Sequence, residues 1–462
     1  MSDTDARPAA GAASPRARTI ARGIEVVRQI LTGGDDRSIA MRTVAFVFLV
    51  RVASAGIAYF SQVLIARWIG VAEYGVFVTV WVIILLVAEL APFGLSTAAQ
   101  RFPPDYTVRG QWDLLRGYLR ASRLVGLGVG SLCAVIGAFA IRQMSGVIDA
   151  AYVQPLLLAC LSLPIVGLMT VQDYIARTYN WPDLAHALPY IVRPLSILAF
   201  MGVFVLAGFG HNAETAMYAL LAALWISGII QTIALQRRLA RVVPKGAYSY
   251  RWIDWFRASL PIFLIDGFYV LLTSTDVLVL SFYVDSEKIG IYFAVTKTLA
   301  LVSFIDFAVK AAAAHRFAEY NARGDDERLR DFVRDAIHWT FWPSLAAIVG
   351  LLVIGKFMLM AFGSTYVEGY PLMYILAVGL LARASLGPVE RLLNMLDHQV
   401  PCAVAVGSAF FVNLALNLVF IPYWGLTGAA IATTIAHIVE AVLLFATARR
   451  YLKIDIFMWS PR

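Results

Sequence analysis

Apolar residues come in long blocks along this chain, and polar ones punctuate them. Beyond Arg42 about twelve blocks can be read. They are Val44–Ile69, Val76–Leu95, Leu124–Ile141, Tyr152–Val171, Ala185–Ala207, Ala213–Leu235, Leu260–Phe282, Ile289–Ala311, Ile337–Leu359, Pro371–Leu386, Cys402–Ile421 and Leu426–Ala446. Most reach the ~20 residues a helix needs to cross the hydrocarbon core of a bilayer. A backbone in lipid must satisfy its N–H and C=O groups internally, so each block predicts a helix. The pattern predicts an all-α polytopic membrane protein of about twelve transmembrane helices.

Composition agrees. Of the 462 residues 60% are hydrophobic and 15% are charged, with a mean hydropathy of +0.73. Soluble domains run nearer half apolar and a quarter charged. A soluble enzyme, a DNA-binding module and a secreted disulfide scaffold are thereby excluded. The three cysteines, Cys133, Cys160 and Cys402, all lie in apolar blocks, and an odd number so placed is not a disulfide framework.

The net charge of +8 would suggest nucleic acid in a soluble protein. Here it reports topology. One set of connections is short and nearly uncharged, as at Gly70–Gly75, Phe209–Asn212 and Pro422–Gly425. The other set is basic. Arg101, Arg109, Arg116, Arg120 and Arg123 fall in one such loop, Arg237, Arg238, Arg241, Lys245, Arg251 and Arg257 in a second, and Arg316, Arg323, Arg328, Arg330 and Arg334 in a third. The positive-inside rule makes the basic side, with both termini, cytoplasmic. Residues 1–42 lack an apolar core of the kind a secretory signal carries. Within them Ile20, Ile24, Val27 and Leu31 recur at helical spacing between arginines, which reads either as a short interfacial helix or as a disordered tail.

A single constant shift lays the second half on the first. It carries Ala72-Glu-Tyr-Gly-Val-Phe77 onto Glu287-Lys-Ile-Gly-Ile-Tyr292, and Arg51 onto Asp266. With an even number of helices in each half, the repeat is parallel, related by an axis along the membrane normal, and suits alternating access by rocking lobes. The expected organisation is a tail (1–42), a first six-helix lobe (43–236), a cytoplasmic hinge linker (237–257), a second six-helix lobe (258–447) and a C-terminal tail (448–462).

Charges inside the apolar blocks are the candidates for chemistry, because each costs about 2.5–3.5 kcal/mol at the bilayer centre unless it meets a partner or water. The cations are Arg51, Arg193, Lys297, Lys310 and Arg383, and the acids include Asp266, Asp276, Asp306, Glu390 and Glu440, with Glu89 near a helix end. Asp306 and Lys310 stand at i, i+4 and predict a pair on one helix. Lys297 points to the opposite face and has no partner on its own helix. Arg51 and Asp266, repeat mates, either pair across a cleft or both meet a ligand. Arg193 precedes Pro194, where a helix loses a hydrogen bond and bends. Arg383, Glu390 and Arg391 either line the cleft or snorkel to the cytoplasmic interface. A cleft holding Arg51, Arg193, Lys297, Lys310 and Arg383 suits an anion such as phosphate. Asp266, Asp276 and Asp306 are candidates to carry H+ or Na+ for coupling.

Catalytic signals are scarce. Gly350-Leu-Leu-Val-Ile-Gly355-Lys356-Phe357 imitates a phosphate loop but ends in Phe, where Ser or Thr should hold Mg2+, and it lies in an apolar block. The histidines have no zinc-ligand spacing. His437 and Glu440, at i, i+3, predict a packed polar pair. No catalytic residue, cofactor or metal is expected, and the short outside loops argue against an enzyme.

Several stretches in this order resemble a known family. They are Ala91-Pro-Phe-Gly-Leu-Ser-Thr with Arg101-Phe-Pro-Pro-Asp-Tyr106, Ile289-Gly-Ile-Tyr-Phe-Ala294, Met360-Ala-Phe-Gly-Ser-Thr-Tyr366, and Asn413-Leu-Ala-Leu-Asn-Leu-Val-Phe-Ile-Pro422 followed by Gly425-Leu-Thr-Gly-Ala-Ala-Ile-Ala-Thr433. The chain is similar to the polysaccharide-transporter branch of the multidrug/oligosaccharidyl-lipid/polysaccharide exporter superfamily. The resemblance implies two pseudo-symmetric six-helix bundles in a V. It implies a flippase of the bacterial inner membrane that moves undecaprenyl-diphosphate-linked oligosaccharide to the periplasmic leaflet for O-antigen, capsule or exopolysaccharide. It further implies a cation-lined cleft, coupling to a cation gradient, and a polysaccharide polymerase and chain-length regulator as partners. The extra helix pair of lipid II flippases has no counterpart here. Two other readings stand beside it, a cation-coupled multidrug exporter of the same superfamily and a membrane glycosyltransferase or ligase.

Overall fold

The computed structural model describes residues 36–323, 325–396, 398–452 and 458; the side chains of residues 36–52, 311, 312, 314, 315, 318, 321, 322 and 326 lie outside it. Met1–Arg51 and Val52–Arg462 are separate units, and the architecture is that of the second. The expected interfacial helix of the tail falls outside the described residues.

Every apolar block is helical, and no strand occurs among the described residues. α1 is Asp36–Ile69, α2 Val71–Leu90, α3 Trp112–Gln143 and α4 Ala150–Thr178. α5, Arg193–Leu206, is entered through a π-helical segment, Asp183–Val192, and α6 is Ala213–Val242. α7 is Trp252–Leu272, continued past a break at Thr273 and Ser274 by Thr275–Tyr283. α8 is Ser286–Leu299, continued past a 3-10 turn at Ala300–Val302 by Ser303–Arg323. α9 is Asp326–Phe362, and α10 is Tyr370–Ala384 with a short continuation, Val389–Met395. The last stretch, Gln399–Leu452, holds two passes, α11 (399–424) and α12 (426–452), because Gly425 takes φ 52° and ψ −126°.

Ten of these stretches are long and apolar enough to cross a membrane, with α11 and α12 taken as one. Separating those two and adding α1 gives the twelve passes of the sequence pattern. Large apolar side chains stand exposed on them, Val135 and Phe139 on α3 and Val353 and Phe357 on α9 among others. That outward apolar face is the one a bilayer solvates. The chain is a multi-pass membrane protein.

The three basic segments are more helical than expected. Arg116, Arg120 and Arg123 lie on α3, Arg237, Arg238 and Arg241 on α6, and Arg328, Arg330 and Arg334 on α9. Arginine is a good helix former, so these helices run on where their apolar blocks end. The expected hinge shortens to residues 243–251, and that segment is fastened to the first half. Arg116 donates to Pro244 O at 2.7 Å and to Ala247 O at 2.8 Å, and Ser249 N donates to Asp113 O at 3.0 Å. The buried indole of Trp255, in the first turn of α7, donates to Tyr106 OH at 2.8 Å.

The repeat is visible where α2 crosses α8. A Cβ on Gly75 would lie 1.7 Å from Ser286 O, and one on Gly290 would lie 2.7 Å from Val71 O and 3.5 Å from Gly75 Cα. The two glycines that the constant shift equates therefore meet each other, as residues beside a pseudo-two-fold axis must. Tyr74, Phe77, Tyr292 and Phe293 are buried around them, with Tyr74 and Phe293 rings 6.2 Å apart.

Candidate substrate cavity

Beside the α2–α8 crossing is a cavity of about 340 Å³, walled by α1, α2, α5, α6 and α8 with the segment that precedes α5. Aromatic side chains form much of the wall, including Tyr59, Phe77, Trp81, Tyr190, Phe293 and Phe304. Two cations reach it, Arg193 from the first half and Lys297 from the second.

Each cation stands next to an interruption in its helix. Arg193 opens α5 directly after the π-helical segment, which contains Pro189, and Pro194 follows it. Lys297 lies in the last turn of Ser286–Leu299, just before the 3-10 turn. Irregular backbone at membrane depth is tolerated where it lines a cavity, and π-segments gather at functional sites. Sequence pointed to the first interruption through Pro194 and gave no sign of the second.

Neither cation is hydrogen-bonded to a carboxylate. Lys297 is exposed, although Val295, Thr298 and Leu299 beside it are buried. Its Nζ stands 4.6 Å from the centre of the Phe293 ring, and among the described residues no carboxylate approaches it within the 4.0 Å of an ion pair. Arg193 Nη2 lies 3.9 Å from Asp173 Oδ2, too far for a hydrogen bond, and its buried Nε and Nη2 have no hydrogen-bond partner. Polar groups of the wall are held by neighbouring helices. Gln62 Oε1 accepts from Tyr74 OH at 2.9 Å, and Tyr190 OH accepts from Arg177 Nη2 at 3.1 Å.

Lys310 and Arg383 are not with them, which corrects the expectation of one shared cleft. They lie in the second half in a closed ion network across α8, α10 and α12. Lys310 Nζ is 2.8 Å from Asp306 Oδ2 and 2.9 Å from Glu390 Oε2. Arg383 Nη2 is 3.0 Å from Glu390 Oε1 and 3.8 Å from Glu440 Oε1, and its guanidinium covers the Tyr269 ring at 5.2 Å. The i, i+4 pair read from sequence thus forms, and so does the His437–Glu440 pair, at 3.1 Å. Two cations facing three carboxylates leave no attraction for an anion, so this network braces helices. Glu390 touches both cations, and Glu390→Ala takes a half-buried carboxylate from each, leaving Lys310 to Asp306 and Arg383 to the more distant Glu440. Removing one member of such a pair costs about 3–5 kcal/mol. A large fall in thermal unfolding temperature in detergent is the expected result.

The acids are tied internally. Asp266 accepts from Thr97 Oγ1 at 2.7 Å. Asp276 accepts from Tyr292 OH at 2.6 Å and from Val277 N at 2.8 Å. Asp306 is held by Lys310 as above. The side chain of Arg51 lies outside the described residues, and with it the expected pairing with Asp266. Among the described residues no group of His, Cys, Asp or Glu is placed to hold a metal ion. The imitation phosphate loop is plain helix within α9.

Sequence reasoning missed Asp173, Arg177 and Gln231. The fourth apolar block ends at Val171, but α4 runs on to Thr178. The i, i+4 spacing of Asp173 and Arg177 was the available signal. Gln231 Nε2 donates to Asp173 Oδ1 at 2.6 Å, and Arg177 stacks on Tyr174 at 4.6 Å.

No family model matches the chain. Over 398 residues it is 22% identical to a probable low-salt glycan biosynthesis flippase of Haloferax volcanii, covering 86% of this chain and 80% of that one. Among solved structures it is similar to an inward-facing multidrug resistance MATE family transporter of the MOP superfamily, with a TM-score of 0.71 at 15% identity over 88% of this chain and 98% of that one. It is also similar to the lipid II flippase MurJ in an inward closed conformation, with a TM-score of 0.69 at 16% identity over 88% and 87%. These relatives are transporters and flippases, not enzymes, and the chain has the fold of the MATE and MurJ structures.

Proposed function

We propose that this protein is a flippase for a lipid-linked oligosaccharide. Its substrate is an undecaprenyl-diphosphate-linked glycan, moved from the cytoplasmic to the periplasmic leaflet of a bacterial inner membrane for O-antigen, capsule or exopolysaccharide. One observation carries this reading. Arg193 and Lys297 come from opposite halves of the chain to one aromatic-walled cavity, and neither is hydrogen-bonded to a carboxylate there. A diphosphate supplies the missing acceptors, because guanidinium and ammonium donors bind phosphate oxygens by charge-assisted hydrogen bonds. The aromatic faces offer apolar contact to sugar rings. The glycan biosynthesis flippase relative supports a glycan-bearing substrate, and the MATE-like fold supports alternating access.

Orientation follows from the basic segments, which the positive-inside rule places in the cytoplasm with both termini. An inside-negative potential then favours outward movement of the anionic head by about 2.3 kcal/mol per charge per 100 mV. Return of the emptied, cationic cavity is the step that H+ or Na+ would assist. The test is reconstitution of the purified protein in liposomes with a fluorescent undecaprenyl-diphosphate disaccharide. Probe in the inner leaflet is expected to become accessible to an outside quencher in protein-containing vesicles and to stay protected in empty ones. Transport of an organic dye cation instead would point to a drug exporter, and glycan transfer to an acceptor would point to an enzyme.

A further inference from the structure

The carboxylate nearest Arg193 has no place in the reading above. Asp173 stands on α4, and its two oxygens are used differently. Oδ1 is fixed by Gln231 of α6 at 2.6 Å. Oδ2 faces Arg193 Nη2 across 3.9 Å, an ion-pair distance without a hydrogen bond. The neighbouring Arg177 donates to Tyr190 OH and stacks on Tyr174, so of the two arginines Arg193 is the one at ion-pair distance from Oδ2. Arg193 itself lines the cavity with unsatisfied guanidinium nitrogens.

We infer that Asp173 is a positioning residue that sets how tightly Arg193 holds an anion, by competing with that anion for the guanidinium. The inference rests on the cavity being the diphosphate site. An arginine with no counter-ion in a membrane cavity would bind a diphosphate strongly and release it slowly. A carboxylate held at arm's length stabilises the empty state and takes the guanidinium back as the anion leaves. Because Gln231 anchors Asp173, the carboxylate cannot close on Arg193 and abolish binding. An opposite charge at this range shifts an ionic equilibrium by roughly a factor of ten or more.

Binding of farnesyl diphosphate to the full-length protein in nanodiscs, by calorimetry at fixed ionic strength, tests this. Asp173→Asn is expected to tighten Kd about tenfold while slowing flipping of the fluorescent disaccharide lipid in liposomes. Asp173→Glu, which reaches one methylene closer to Arg193, is expected to weaken Kd several-fold. A merely structural role would not shift affinity in opposite directions. If Asp173→Asn does not fold, Asp173→Glu and Gln231→Leu, which frees the carboxylate to approach Arg193, carry the test, and both are expected to weaken binding. In an Arg193→Gln background Asp173→Asn is expected to leave Kd unchanged. If Arg193→Gln weakens binding but the Asp173 and Gln231 variants leave Kd at the parent value, the competition is overturned and the cavity reading stands. If Arg193→Gln itself leaves Kd unchanged, both fall.

Discussion

Neutralising both cavity cations, Arg193→Gln with Lys297→Gln, is expected to cut the flipping rate about 100- to 10,000-fold without unfolding the protein. A hydrogen bond to a charged group contributes about 1.5–3 kcal/mol, and two lost together give that range. Stability should change little. Lys297 has no ion-pair partner within reach among the described residues, and Arg193 has only a loose one. Each single variant should fall between the parent and the double. Lys310→Gln forms the contrast, because Lys310 is held at 2.8 and 2.9 Å by two carboxylates. It should lower the unfolding temperature first, and transport only through that. Initial flipping rates read beside thermal unfolding in detergent separate the two cases. A double variant that flips at the parent rate would remove both cations from the site.

The second large effect is expected at the α2–α8 crossing. Gly75→Leu puts a Cβ where Ser286 O now lies, 1.7 Å from its ideal position, and that obstacle is backbone. The helices must separate, and the buried aromatic packing of Tyr74, Phe77, Tyr292 and Phe293 separates with them. Overpacking of this kind costs about 1–3 kcal/mol, occasionally more. Gly75 and Gly290 join the two halves beside the cavity, so the damage falls on the contact about which the proposed rocking of the halves would turn. Transport is expected to fall by about tenfold or more, and Gly290→Leu should reproduce the defect. Gly202→Leu is the control, since a Cβ on Gly202 meets nothing within 4 Å. Equal flipping by Gly75→Leu and Gly202→Leu would show that this crossing takes no part.

The helices were legible because hydrocarbon imposes a length and a composition that no other environment does. The Gly75–Gly290 correspondence was legible because a repeat leaves its spacing in the sequence. Local pairs could be read too, as at Asp306–Lys310 and His437–Glu440, since helical spacing alone brings them together. The division of the cations could not be read. Arg193, Lys297, Lys310 and Arg383 look alike as single charges in apolar blocks, and what separates them is a partner on another helix. Glu390 reaches Lys310 from 80 residues away in the chain. Helix ends were also hidden, because hydropathy marks where lipid stops and not where the helix does. Asp173 was missed on α4 for that reason, and the basic loops were drawn too long.

The most direct measurement is a structure of the protein in nanodiscs with an undecaprenyl-diphosphate oligosaccharide bound. The account predicts phosphate oxygens within about 3 Å of both Lys297 Nζ and the Arg193 guanidinium, with the first sugar against the aromatic wall. A diphosphate bound elsewhere, with both cations left facing an empty cavity, would contradict it.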